Sequence, residues 1–367
     1  MTEETISKRL TSLDALRGFD MFWITGGTYF FGKLFDWTEI PFFLSIGQQF
    51  EHSEWNGFTF YDLIFPMFMF MVGTSLPFAM SRRLEKGADK RQLFLHVLRR
   101  GLTLLVFGLI FNGLLKFNLE EMRWAGVLQR IALGYFFASC IVLLFDIRGQ
   151  AIAFVTILLG YWAMMTLIPV PGIGAGVLTP EGNLAGFIDR QLLPGRFCCY
   201  TYGDNEGLLS TLPAIGSVLL GALAGHWLRS GREDLKKGIG LLGAGVVSLG
   251  IALVWNRFFP INKLMWTSSY VLFAGGWSLL LLAIFYLVID VWGWSAWAFP
   301  FVVIGMNAIT IYLGQRLIDF RYTAEFLFGG LAQFMGSFEP VFLAFAVLSL
   351  KWLFLYFLFK NRIFLKA

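Results

Sequence analysis

The sequence predicts an all-α, polytopic integral membrane protein, and three observations carry that prediction. Of its 367 residues, 57% are hydrophobic and 14% charged, against about 45–50% and 25% in soluble globular domains. The mean hydropathy of +0.67 is an apolar excess that one soluble core cannot hide, so the remainder faces lipid. Apolar runs of about 20 residues, the length that crosses a bilayer as a helix, recur along the whole chain with short connections between them. A soluble enzyme, a disordered chain and a collagen-like fibre are excluded on these grounds. The 41 Phe and 13 Trp suit a bilayer interior and its interfaces.

About ten spans follow, at roughly 13–31, 58–80, 94–115, 126–145, 151–169, 208–228, 239–256, 266–289, 299–318 and 338–359. The basic residues between them set the orientation. One side holds Lys8, Arg9, Arg82, Arg83, Lys86, Lys90, Arg91, Arg148, Arg229, Arg232, Lys236, Lys237, Lys360, Arg362 and Lys366. The other side holds 8 over longer loops, so both termini are expected to be cytoplasmic. The same placement explains the net charge of +5 without nucleic acid as a partner. The first apolar run has no small-residue cleavage site after it and reads as a retained helix.

The chain reads as a single transmembrane domain over 1–367, with long outer loops at about 32–57 and 170–207. The second loop carries Pro169, Pro171, Gly172, Gly174, Gly176, Pro180 and Gly182, a composition that prevents regular helix. Gly221 and Gly225 form a small-xxx-small pair, and Gly238, Gly240, Gly243 and Gly245 crowd another helix. Both read as close helix packing and permit a homodimer. Cys198 and Cys199 are adjacent, a spacing that strains any bond between them. With three histidines on separate helices and no cysteine pair at ligand spacing, no metal is expected.

Polar residues inside spans are the functional candidates, because lipid makes them costly. The richest segment runs from Phe50 to Pro66, where the first outer loop enters the second span. His52 is the histidine expected at an outer mouth, and an imidazole titrates near neutrality, which suits it to move a proton or carry an acyl group. Asp62 falls about two turns into a helix beginning near Asn56, and Pro66 cannot donate to its carbonyl. A carboxylate beside such a bend can orient the imidazole, while the plainer reading is an interfacial His, a capping Asn56 and a packed Asp62. His96 and His226 read as interfacial structure.

On the cytoplasmic side Arg17, Arg99, Arg100 and Lys351 lie near or within spans. Snorkelling to lipid headgroups accounts for most of them. A cationic pocket for a phosphate-bearing ligand is the alternative. Gln129, Arg130 and Asn307 are expected to face an interior cavity.

These residues fall in an ordered set of segments. They are Ser12-Leu-Asp-Ala-Leu-Arg17-Gly18, His52-Ser-Glu-Trp55-Asn56-Gly57 followed by Asp62-Leu-Ile-Phe-Pro66, and Gly126-Val-Leu-Gln129-Arg130. Asp204-Asn-Glu206-Gly207, Asn262-Lys-Leu-Met-Trp266 with Ser269-Tyr270, and Gly305-Met306-Asn307 complete it. In this order the sequence resembles the heparan-α-glucosaminide N-acetyltransferase family of transmembrane acetyltransferases, including its shorter bacterial members. The resemblance implies acetyl transfer from cytoplasmic acetyl-CoA to the amine of glucosamine, or a glucosamine-ended saccharide, on the outer side of a bacterial inner membrane.

The resemblance places the catalytic histidine on His52 and its acidic neighbour on Asp62. A family asparagine falls on Thr25 or Thr28. Substrate contacts are then expected from Asn56, Thr28, Gln129, Arg130 and Asn307, and coenzyme contacts from Arg17, Arg99, Arg100 and Lys351. Direct transfer and an acetyl-histidine intermediate both fit. An amino-sugar transporter is the alternative function, supported by the many spans and the buried polar residues.

Overall fold

The structure is a computed structural model and describes residues 10–365. Lys8, Arg9 and Lys366, used above for orientation, lie outside the described residues. Among the described residues the chain forms fifteen α-helices and one small hairpin, which agrees with the expected all-α class. In order they are α1 (Thr11–Phe22), α2 (Thr28–Thr38), α3 (Pro41–Gly47), α4 (Phe60–Glu85), α5 (Lys90–Phe111), α6 (Val127–Leu144), α7 (Ile147–Leu167) and α8 (Leu184–Leu192). Then come α9 (Thr211–Leu228), α10 (Asp234–Trp255), α11 (Ser268–Phe285), α12 (Phe299–Met306), α13 (Ala308–Leu317), α14 (Phe320–Ala332) and α15 (Glu339–Lys360). Strands β1 (Cys199–Tyr200) and β2 (Gly203–Asp204) pair antiparallel.

Eight stretches among the described residues are long and apolar enough to cross a membrane, or nine if the α12–α13 pair, bent by 61°, is one span. The expected first span differs. A wide turn over 23–27, with Gly26 at φ 146°, separates α1 from α2. Such a break exposes carbonyls that lipid cannot satisfy. Here Thr25 Oγ1 donates to Phe22 O and Thr28 Oγ1 to Trp23 O, each at 3.2 Å, and Lys351 Nζ donates to Thr25 O at 2.6 Å. Helices α3, α8 and α14 occupy stretches expected to be loop. Local caps explain several starts: a reciprocal Asp89–Gln92 box opens α5, and the side chains of Asp146, Asn183 and Asp319 accept the first free amides of α7, α8 and α14.

The described residues group into two compact units. One comprises 53–58 and 65–280. Within it α6 packs on α5 and α9, and α7 packs on α9. Small residues set the approach of α4 to α9: a methyl at Gly73 would lie 1.9 Å from Val218 O, and one at Gly221 1.9 Å from Phe70 O. At Gly225 the corresponding contact is Thr74 O at 2.4 Å, so the small-xxx-small pair is occupied in packing within the chain. Cys198 and Cys199 are paired as chain neighbours at the entry to the hairpin.

The second unit comprises 10–52, 59–64 and 281–365. Here α1 packs on α12 through two reciprocal glycines. A methyl at Gly18 would lie 1.6 Å from Phe301 O, and one at Gly305 2.0 Å from Asp14 O. Helix α15 lies against α2, α12 and α14.

Candidate active site

The second unit builds its polar centre at the start of α4. The helix begins at Phe60, so Asp62 stands in its first turn rather than two turns in. The cause is local: Asp62 Oδ2 accepts the Thr59 N–H at 3.2 Å while the Asp62 N–H donates to Thr59 O at 3.1 Å. This is the return arm of a Thr-x-x-Asp capping arrangement. The Thr59 hydroxyl donates to Glu51 O at 2.6 Å, which ties the loop before the helix to its cap. A carboxylate here also meets the positive end of the helix dipole.

His52 lies in that loop. Its Nδ1 is 2.7 Å from Asp62 Oδ1. The Asp62 side chain is 0% exposed and that of His52 is 52% exposed, so a buried carboxylate holds one face of an imidazole whose body reaches the surface. The ring stacks on Tyr61 at 4.7 Å between centroids. Aromatic packing fixes the approach: Phe50 stacks on Trp23 and on Phe35, Phe35 on Phe43, and Trp23 meets Phe60 edge-on at 5.0 Å. With Nδ1–H donated to the carboxylate, Nε2 is the nitrogen that can take a proton.

The remaining expected residues fall in both units. In the second unit, Thr28 bridges the break between α1 and α2. Asn307 sits at the α12–α13 bend, 2% exposed; its Oδ1 accepts from Thr310 and its Nδ2 has no partner among the described residues. Arg17 pairs with Asp14 at 3.5 Å. Lys351 holds Thr25 O and Gln315 Oε1.

Asn56, Gln129, Arg130, Arg99 and Arg100 belong to the first unit. There Asn262 Nδ2 donates to Trp55 O at 2.8 Å and to Asn56 Oδ1 at 3.1 Å, so Asn56 is part of a loop-to-loop clasp and caps no helix. Gln129 Nε2 donates to Trp124 O. Arg130, 1% exposed, donates to Gly207 O and Ser210 Oγ and lies over the Trp266 ring at 4.8 Å. Arg100 covers the Tyr135 ring at 4.8 Å, while the Arg99 carbonyl accepts from Thr103. His96 Nε2 meets Arg83 and His226 Nε2 meets Gln150.

Sequence reasoning missed three things. Arg123 gathers Asp204, Asn205 and Glu206, with Nε–Oδ2 of Asp204 at 2.8 Å and Nη2–Oδ1 at 2.5 Å. Burial opposes the guanidinium's charge, yet its bonds to Asp204 and Glu206 outweigh this and raise its affinity for the proton. Beside it, burial raises the Asp189 carboxyl even though the Leu208 and Asp204 amides donate to it. Thr59 was visible in hindsight as the Thr-x-x-Asp pattern. Asp20, on α1, is 0% exposed with neither carboxyl oxygen partnered among the described residues; an acid inside the first expected span was the available signal.

A helical, multi-pass membrane protein carrying a carboxylate-held histidine is the class that fold and site define. A family model described as a domain of unknown function (DUF5009) matches residues 9–152. Heparan-alpha-glucosaminide N-acetyltransferase of Mus musculus is 29% identical over 374 residues, covering 87% of this chain and 55% of the relative. The protein of the same name from Homo sapiens is 29% identical over 367 residues, covering 85% and 53%. The chain is similar to both relatives over most of its own length. The chain spans about half the length of these curated relatives.

Proposed function

We propose that the chain is a transmembrane acetyltransferase. It moves acetyl from acetyl-CoA on the cytoplasmic side of a bacterial inner membrane to the amine of glucosamine, or of a glucosamine-ended saccharide, on the outer side. The observation that carries this reading is the 2.7 Å contact from His52 Nδ1 to the fully buried Asp62, joined to the names of the relatives.

In this mechanism His52 Nε2 takes the proton that the attacking amine must lose. Asp62 keeps the imidazole in the tautomer that leaves Nε2 basic and stabilises the imidazolium that forms. General-base catalysis of this kind contributes about 10²–10⁴-fold. The amine nitrogen bonds to the thioester carbonyl carbon, the carbon–sulfur bond breaks, and the leaving thiolate takes the proton from the His52 imidazolium, which gives the coenzyme thiol and restores the neutral ring. Arg17 is proposed to meet the coenzyme's phosphates, where guanidinium geometry suits it. Thr28 and Asn307 are proposed to orient the acceptor.

Acetyl-CoA-dependent acetylation of glucosamine by purified protein tests the proposal. His52→Ala is expected to lower turnover by about 10²–10⁴-fold; full turnover in that variant would remove His52 from the mechanism. Broken helices favour a second reading, since transporters place them at substrate sites and α12–α13 bends by 61°. Amino sugar accumulating in liposomes without acetyl-CoA would select the transporter.

A further inference from the structure

Lys351 lies well inside α15, which ends at Lys360, about 13 Å of helix rise away. Its Nζ donates to two neutral acceptors, Thr25 O at 2.6 Å and Gln315 Oε1 at 3.3 Å. Glu325 and Glu339 border one of the cavities that Lys351 lines, while both hydrogen-bond acceptors of its ammonium are neutral. An ammonium has three hydrogens to donate; the Thr25 carbonyl and the Gln315 amide take two of them, and an intramembrane cation marks a site where a ligand can take the third.

Two cavities of the second unit share this side chain and Thr25. One, about 510 Å³, has an almost wholly hydrocarbon wall that includes Phe22, Phe301, Ile304, Phe345 and Leu355. The other, about 480 Å³, is more polar and is bordered by Thr28, Arg321, Glu325 and Glu339. Each is large enough for a ligand by the usual range of about 300–1,000 Å³. Phe345 and Leu353, on the wall of the apolar cavity, are 55% and 53% exposed, so that cavity can be reached from the side.

A hydrocarbon chamber with one lysine ammonium on its wall, bonded there only to neutral oxygens, fits a molecule that is apolar along most of its length and anionic at one end. We propose that the apolar cavity binds a fatty acid, with its carboxylate on the Lys351 ammonium and its chain along Phe22, Phe301 and Phe345. A phospholipid phosphate fits less well, because a lysine already bonded to two oxygens has one donor left for it. This inference reassigns Lys351, expected from the sequence to meet the coenzyme, and uses no step of acetyl transfer.

Native mass spectrometry of the full chain, stripped of lipid in an uncharged detergent, tests it. Oleic acid, oleyl alcohol, a phosphatidylglycerol and acetyl-CoA are titrated separately and in competition. Expected are one saturable oleate adduct, binding of the alcohol at least about tenfold weaker, and a similar loss in Lys351→Met. Leu348→Trp, which narrows the same cavity without touching the cation, is expected to weaken oleate as well and covers the case in which Lys351→Met does not fold. Equal binding of acid and alcohol, or undiminished oleate binding in both variants, would overturn the assignment. So would displacement of oleate by phosphatidylglycerol or by acetyl-CoA at equal concentration, since the cation would then serve a phosphate.

Discussion

Asp62→Asn isolates what the buried carboxylate does for His52. Asparagine keeps the volume, and its Oδ1 can still accept the Thr59 amide that Asp62 Oδ2 now accepts at 3.2 Å. The amide nitrogen is then left to face His52 Nδ1, which sits 2.7 Å from the present carboxylate. Both groups cannot donate, so the ring moves its proton to Nε2 and the basic nitrogen turns the wrong way. Losing a charge-assisted hydrogen bond removes about 1.5–3 kcal/mol, or about 10–150-fold at 1.36 kcal/mol per decade. Loss of the general base adds to this, within about 10²–10⁴-fold. The expected result is a kcat lowered by about 10²–10⁴-fold with KM for acetyl-CoA within about threefold. Folding should change by less than about 1 kcal/mol because the helix cap survives. Coenzyme thiol release, followed with acetyl-CoA and glucosamine, reads both constants. A folded Asp62→Asn protein with kcat within about threefold of the parent would refute the argument.

Three further outcomes test the scaffold. Gly18→Ala places a methyl 1.6 Å from Phe301 O and is expected to destabilise the second unit by about 1–3 kcal/mol in a thermal melt; an unchanged melt would mean the α1–α12 contact is not tight. Arg123→Ala leaves Asp204 and Glu206, 0% and 3% exposed, without their cation, and about 3–5 kcal/mol of stability should be lost. Asp189 has its native carboxyl raised by burial, so stability should fall as pH rises from the ordinary aspartate value near about 3.9 through the raised native one. Asp189→Asn, which keeps an acceptor for the Leu208 amide, should flatten that slope in denaturant melts at several pH values. A slope equal to the parent's would assign the dependence to other groups.

The pairing of His52 with Asp62 was legible because both partners lie ten residues apart on either side of one helix start. The pattern Thr59-x-x-Asp62 also encodes where that helix begins, and a reading that began it near Asn56 put Asp62 a turn too deep. Asn56 looked like a cap for the same reason. What holds it instead is Asn262, 206 residues away, and no local pattern announces such a partner. Arg123 shows the same limit: its carboxylates are 81 and 83 residues distant. Lys351 was recognisable as an intramembrane cation, but the broken backbone it touches at Thr25 was not, because residues 13–31 read as one apolar run.

Composition alone determined that this chain lives in a membrane as helices, because no soluble core can hold so much apolar surface and lipid satisfies no free backbone amide. Local pattern determined where most helices run and which histidine meets an acid. Only the tertiary structure decided that Asp62 is wholly buried behind a half-exposed His52. It alone showed that the first span is broken at Gly26 and that Lys351 faces neutral oxygens. Burial and counter-charge depend on residues hundreds of positions away, and periodicity carries no record of them.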